Sequence, residues 1–300
     1  DRGMDMGSQP GCAIRGLTSR ATLGAFLGLF LAGAAGVAAM AEESPPPVPV
    51  FPGPPPVQLL CLVGAYPDHL VEAHWVQGDG WAVKWKDGTL MDWDDGRGEK
   101  DFETLLNEPD LQDMMSISYP VGKEYSHPTR DDDPGRIRYD PFFRKMYGDS
   151  SKEVQSRLVQ VRWLPESGGK KLRVMSVNGV NAALARVSEE IAKLPRKIRD
   201  LAAKTSGPFN WRVIKGTKRL SSHSFAIALD VAVEHAHYWR WSRKDKDGNY
   251  PYRNEIPLEI VEAFERNGFV WGGKWYHYDT MHFEYRPDLL DPRCVRKATD

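Results

Sequence analysis

Cysteine is scarce in this chain. Three residues among 300 exclude a disulfide-built scaffold and a cysteine-rich zinc fold. An excess of one charge is also lacking, since 40 Lys and Arg meet 41 Asp and Glu for a net charge of -1. No basic surplus points to nucleic acid, and no acidic run points to a solvated tail. We find no internal repeat, and no G-x-S-x-G elbow of the kind that presents a nucleophilic serine. What is present is ordinary for a globular protein, with 41% hydrophobic and 27% charged residues. Ten Trp, eleven Tyr and eleven Phe exclude wholesale disorder. The length suits one large domain or two small ones.

The one long uncharged run lies near the N-terminus. Arg15 and Arg20 precede it, it extends from Ala21 to Ala41, and Ala39-Met40-Ala41 is followed by Glu42-Glu43. A positive flank, an apolar core and an A-x-A site predict a secretory signal peptide over residues 1–41, cut after Ala41. The competing reading is an uncleaved membrane anchor, although the Ala- and Gly-rich composition makes a weak span. No twin Arg is present, so the general secretory route is expected. The mature protein is then periplasmic or secreted, with no membrane partner. Cys61 and Cys294 remain in it, in a compartment that permits a disulfide, and the sequence alone leaves open whether they pair.

Residues 42–57 read as a Pro-rich linker, with eight of the 22 prolines between residues 45 and 56. Such a run favours extended polyproline II and builds no core. Residues 58–145 read as a small β-containing region. Within it, Val83–Trp85 and Leu90–Trp93 flank the turn signal Asp87-Gly88. Aromatic side chains here offer stacking surface for sugar rings, or simply a core. Residues 146–300 carry clearer elements. Leu184, Val187, Ile191 and Leu194 recur at helical spacing before Pro195. A second helix is expected from Pro257 to Asn267, closed by Gly268 and burying Ile260, Val261 and Phe264. Strand-like runs cover Trp211–Ile214, Phe225–Val233, Phe269–Trp271 and Met281–Tyr285. Helices and strands do not alternate regularly, so an α+β fold is expected.

The chemistry concentrates in two strings, Ser221-Ser222-His223-Ser224-Phe225-Ala226-Ile227-Ala228-Leu229-Asp230 and Asp279-Thr280-Met281-His282-Phe283-Glu284. Two His and one Asp form a donor set suited to Zn²⁺, with a fourth position left for water. A carboxylate three residues before the second His can take a proton from that water. Spacing imposes a condition. Seven extended steps from His223 to Asp230 would span about 23 Å, far more than two ligands of one ion allow. The chain must therefore fold back, near the small residues Ser224 and Ala226. Asp230 can then lie in a strand, with Ala226 and Ala228 leaving room on its face. The plain alternative for one His/Asp pair is a hydrogen-bonded loop histidine and a solvated aspartate at a strand end.

The order S-x-H-x-x-G-x-A-x-D, then G-F-x-W-G-G-x-W, then D-x-x-H-F-E resembles the zinc peptidases of bacterial cell walls. These include D-alanyl-D-alanine carboxypeptidases and dipeptidases and L-alanyl-D-glutamate endopeptidases. The matching stretches are Ser221–Asp230, Gly268–Trp275 and Asp279–Glu284, within a span from about Phe209 to Tyr285. The resemblance implies Zn²⁺ held by His223, Asp230 and His282, with Asp279 as the catalytic carboxylate. It implies a compact fold like that of DD-peptidases and the zinc domain of hedgehog signalling proteins. An Arg ahead of the first His holds substrate in the family. Arg212 is the candidate here, with Arg219 its competitor. One departure is Ala226, where the family has Gly. If its φ is positive, Ala costs about 1 kcal/mol relative to Gly.

Glu284 shares the strand of His282 and is a candidate to orient it. Ser221, Trp271 and Trp275 are candidates for the cleft wall. His235, His237 and His277 read as loop or polar-face residues rather than a fourth ligand. The expected activity is zinc-assisted hydrolysis of a peptide bond in a peptidoglycan stem peptide, with the L-Ala-D-Glu bond favoured slightly over D-Ala-D-Ala. The rivals from other classes are a catalytically silent zinc-containing cell-wall binding module and a plain wall-binding protein using the aromatic N-terminal half.

Overall fold

Aromatic and aliphatic side chains from both halves of the sequence enter one continuous core. Tyr66, Phe142, Phe143 and Tyr147 from the first half meet Phe225, Phe264, Trp271 and Phe283 from the second. A computed structural model describes residues 53–126 and 128–296. The expected signal peptide, and the linker up to residue 52, lie outside the described residues.

The elements run α1 (Val57–Ala65), β1 (Leu70–Val76), β2 (Gly80–Trp85), β3 (Leu90–Asp92), α2 (Phe102–Asn107), α3 (Leu111–Met114), α4 (Asp140–Tyr147) and α5 (Ser151–Ser156). Then follow β4 (Leu158–Arg162), β5 (Lys171–Met175), α6 (Val180–Ile191), α7 (Arg196–Ala203), β6 (Ala228–Asp230), α8 (Leu258–Glu265), β7 (Phe269–Trp271) and β8 (His282–Tyr285). They form three small antiparallel sheets, ordered β1-β2-β3, β4-β5 and β6-β8-β7, so the α+β expectation holds.

The expected hairpin is present, with Val83 opposite Met91 and Gly88 at positive φ in the turn. Both expected helices are present too. The first ends at Ile191 rather than Leu194, and Pro195 starts α7 instead of closing a single helix, because its fixed φ and missing N–H suit a helix entrance. The second runs from Leu258, with Pro257 at its N-cap and Gly268 at φ 89° beyond its end.

Two expected strands shrink. Phe225–Val233 keeps only Ala228–Asp230, because Ala226 and Ala232 both take left-handed conformations that end the extended run on either side. Trp211–Ile214 contributes a single bridge, Val213 to Leu220.

Buried polar ties join distant segments. The Tyr66 hydroxyl donates to Asp288, which also receives the fully buried Arg286 guanidinium. Cys61 in α1 and Cys294 form a disulfide across 233 residues of sequence. Lys274 is buried and donates to the carbonyl oxygens of Pro120 and Gly122, each at 2.7 Å. Pro120 and Gly122 are thereby held beside the turn that follows β7. Among the described residues, no helix is long and apolar enough to cross a membrane.

Candidate active site

Strand β8 lies between β6 and β7, and Asp230 sits directly opposite His282 in the β6–β8 register. Cross-strand partners project on the same side of a sheet, so this pairing alone brings the two side chains together. His223 arrives from a loop. A 3-10 turn spans Ser222–Phe225, with the Ser221 hydroxyl accepting from the His223 amide at 3.4 Å. Ala226 follows at φ 53° and ψ 33°, reversing the chain into β6. The fold-back that the spacing demands is therefore made at the residues expected for it, and the positive φ at Ala226 is real.

The hydrogen bonds assign the tautomers of both histidines. His223 Nδ1 lies 3.2 Å from the Pro208 carbonyl oxygen, to which it donates, leaving the Nε2 lone pair facing Asp230 Oδ1 at 3.2 Å. His282 Nε2 donates to Glu284 Oε2 at 3.3 Å, leaving Nδ1 facing the same Asp230 Oδ1 at 3.1 Å. Two imidazole lone pairs and a carboxylate oxygen thus point at one another, all within 4.8 Å. Such convergence is repulsive unless a cation stands between the atoms. Ligand atoms about 2.0–2.2 Å from a tetrahedral Zn²⁺ lie about 3.3 Å apart, close to the spacing observed here, so the residues fit the metal. In the metal-free protein a proton does the same work. Burial opposes it, but hydrogen bonds to Asp230 and Glu284 push His282 up to about 9. Burial would raise Asp230, yet the neighbouring His223 and His282 hold it well below the usual carboxylate range.

Asp279 reaches the site through a tight turn. Its carbonyl accepts from the His282 amide at 3.2 Å, and its own amide donates to Gly272. Its Oδ1 is buried without a hydrogen-bond partner among the described residues. Burial raises its carboxyl, with Asp230 adding to the rise and His282, Arg136 and His223 opposing it, to about 6. The two glycines of the G-G-K-W string are explained by close approach. A Cβ on Gly272 would meet the Asp279 carbonyl oxygen at 2.7 Å, and one on Gly273 would meet the Trp271 ring at 2.1 Å.

The remaining sequence candidates separate. Ser221, Arg212 and Trp275 line a cleft of about 500 Å³ together with His223, Asp230, Asp279 and His282. Trp275 donates its indole N–H to the Pro134 carbonyl. Trp271 does not join them. It is fully buried in the core, donating to the Thr280 carbonyl at 2.8 Å. Glu284 is fully buried and bonded to His282, as expected. Burial would raise its carboxyl, but Arg138 at 3.0 Å and His282 bring it down to about 2. His235 and His237 pair with Glu255, and His277 pairs with Asp133, so none of the three faces the donor cluster.

Sequence reasoning missed Arg136, Arg138, Ser222 and Tyr238. Ser222 lies 3.3 Å from His282 Nε2, and its place beside His223 was a usable signal. The two arginines precede the first motif by more than 80 residues and carry no motif of their own.

Residues 215–285 match the family model described as D-alanyl-D-alanine carboxypeptidase. The matched segment contains all three candidate metal donors and Asp279, and it supports the cell-wall zinc peptidase family read from the motifs. The match covers about a quarter of the chain and supports a hydrolase of the cell-wall peptidase kind. No curated protein matches the chain. No solved structure matches it either.

Proposed function

We propose that the protein is an exported zinc peptidase that hydrolyses peptide bonds in peptidoglycan stem peptides, with the L-Ala-D-Glu bond as first candidate and D-Ala-D-Ala as second. The observation that carries the reading is the convergence of His223 Nε2, His282 Nδ1 and Asp230 Oδ1, with the unpartnered Asp279 carboxylate three residues from one of them. A Zn²⁺ bound there would polarise the scissile carbonyl and acidify a water. His223 and His282 hold their lone pairs inward because Pro208 and Glu284 fix the opposite ring nitrogens. Asp279 takes a proton on Oδ1 and returns it to the leaving amine. Burial suits it to this exchange by raising its carboxyl toward neutral pH, to about 6 before any metal is bound. Arg212, exposed on the cleft wall, steadies the carbonyl oxygen as negative charge develops.

The disulfide supports export, because such bonds persist in oxidising compartments. The motif order also supports a fold for residues 146–300 shared with DD-peptidases and the hedgehog zinc domain. A silent zinc-containing binding module would need no base, and retention of Asp279 speaks against it. The test is mass spectrometry of peptidoglycan digested with zinc-loaded protein. New termini at a stem-peptide bond are expected, and an unchanged muropeptide profile contradicts the reading.

A further inference from the structure

Nine of the ten tryptophans are buried or half-buried, and Trp241 alone is exposed, at 65%. Among the described residues no Phe or Tyr is exposed either. Scattered exposed apolar side chains are ordinary on a protein surface. This one differs in its place and in its mounting. It lines the mouth of the cleft that holds His223, Asp230, Asp279 and His282. The inner wall of that cleft carries charge instead, from buried Arg138 and Arg219 and half-buried Arg136.

The ring stands on a fixed base. A 3-10 turn spans Trp239–Trp241, and the Trp241 amide donates to the Tyr238 carbonyl oxygen at 2.8 Å. Tyr238 forms an antiparallel bridge with Asp279, and the Trp239 amide donates to the Tyr278 carbonyl oxygen at 2.9 Å. The Trp239 ring packs against His277 and Tyr250, with centroids 4.7 and 4.9 Å away. The turn that carries Trp241 is thereby tied to the turn that carries Asp279. Tyr238 also lines the cleft and meets Trp241 in a T-shaped pair, centroids 5.7 Å apart and planes at 81°, so the two rings form a corner. The Arg240 guanidinium lies 5.0 Å from the Trp239 ring centroid and donates to the Lys215 carbonyl oxygen at 3.4 Å.

We propose that Trp241, with Tyr238 and Arg240 beside it, forms a saccharide subsite at the cleft mouth, so that the preferred substrate is a peptide still joined to its sugar. A pyranose ring presents a flat face of C–H groups edged by hydroxyl and amide groups. The open indole face receives the first, and the neighbouring phenol and guanidinium offer hydrogen bonds to the second. The peptide itself does not explain the ring, because alanine and glutamate residues have no broad apolar face. A protein partner would need a wider apolar surface than one ring bordered by Lys215 and Arg240. The inference deepens the proposed peptidase function and rests on it for the identity of the attached peptide.

The experiment measures binding of two ligands to the zinc-loaded full chain by calorimetry, with Asp279→Asn as background so that neither ligand is consumed. One ligand is a stem peptide bearing its neutral amino-sugar disaccharide, and the other is the same peptide N-acetylated instead. Both lack the terminal amine and carry the same charge, so the sugar is what differs. Packing against one tryptophan face predicts about 5–30-fold tighter binding of the sugar-linked ligand. Trp241→Ala should bring that ratio close to one at unchanged zinc content, and Trp241→Phe, which keeps a ring face, should restore most of it. The exposed position of the ring leaves core packing intact in both variants. Equal affinity for the two ligands overturns the subsite, as does failure to bind either. A preference that survives Trp241→Ala also overturns it. Turnover by the wild-type chain is scored separately. Preference without hydrolysis keeps the subsite and sinks the peptidase reading, whereas hydrolysis without preference does the reverse.

Discussion

Two stretches of chain build the cleft, and they differ in kind. Residues 215–285 bring the donor cluster and Asp279, all within motifs of fixed spacing. Residues 133–140 bring Arg136 and Arg138, which sit in no motif and reach the cleft where Trp275 holds the Pro134 carbonyl and Glu284 holds Arg138. The first stretch holds the atoms proposed to react, and the second holds charges that surround them. Reacting groups need sub-ångström placement, which favours short fixed spacings on strands and tight turns. A field of charge tolerates looser placement, so it can come from anywhere the fold delivers a guanidinium.

That contrast can be broken at several points. The largest effect is expected at the donors. His223→Ala and His282→Ala should each remove most of the bound zinc and bring hydrolysis to background, as read by metal analysis and muropeptide turnover. Full zinc content in both variants would show that the convergent geometry does not hold the ion. Next is Arg138→Gln. It removes the cation that keeps Glu284 ionised against His282, so zinc affinity should fall about 10–100-fold by competition with a chelator. An unchanged affinity would confine Arg138 to the charged wall.

The disulfide probes the scaffold shared by both stretches. Closing 233 residues of chain, it constrains the unfolded state strongly. The double variant Cys61→Ser/Cys294→Ser should lose about 3–5 kcal/mol in chemical denaturation. The pH profile then tests Asp279. A base works only when deprotonated, so activity is lost as pH falls through its pKa. Burial sets that value at about 6 in the metal-free protein, and a bound dication lowers it further. The acid limb of kcat/KM should accordingly lie at or below pH 6. The smallest effect is at Ala226→Gly. Relief of left-handed strain, about 1–2 kcal/mol, exceeds the loss of one buried methyl, about 0.8 kcal/mol. A net stabilisation below about 1 kcal/mol should appear in the melting temperature.

The same contrast governs what could be read in advance. The convergent residues His223, Asp230 and His282, the fold-back at Ala226, the Asp87-Gly88 hairpin and the helix between Pro257 and Gly268 all lie in short strings of ten or so residues, where local sterics decide. Helix α7 was hidden because Pro195 serves a stop and a start equally well. Strand β6 was overread because Ala226 and Ala232 look like ordinary strand residues until their φ of 53° is known. Trp271 and Trp275 are four residues apart in one motif, yet one is core and the other cleft wall, a difference set by which ring the Gly273 backbone covers. Arg136 and Arg138 carried no local signal at all, since only tertiary packing brings them to the site.

Asp279 is the proposed proton acceptor, beside a metal it does not bind. The most direct test compares wild type with Asp279→Asn, measuring stem-peptide turnover and zinc content on the same samples. The substitution keeps size and hydrogen bonding but removes the basic oxygen. Turnover is expected to fall about 10²–10⁴-fold with zinc unchanged. Full activity in the variant, or loss of zinc along with activity, would contradict the role assigned to this residue.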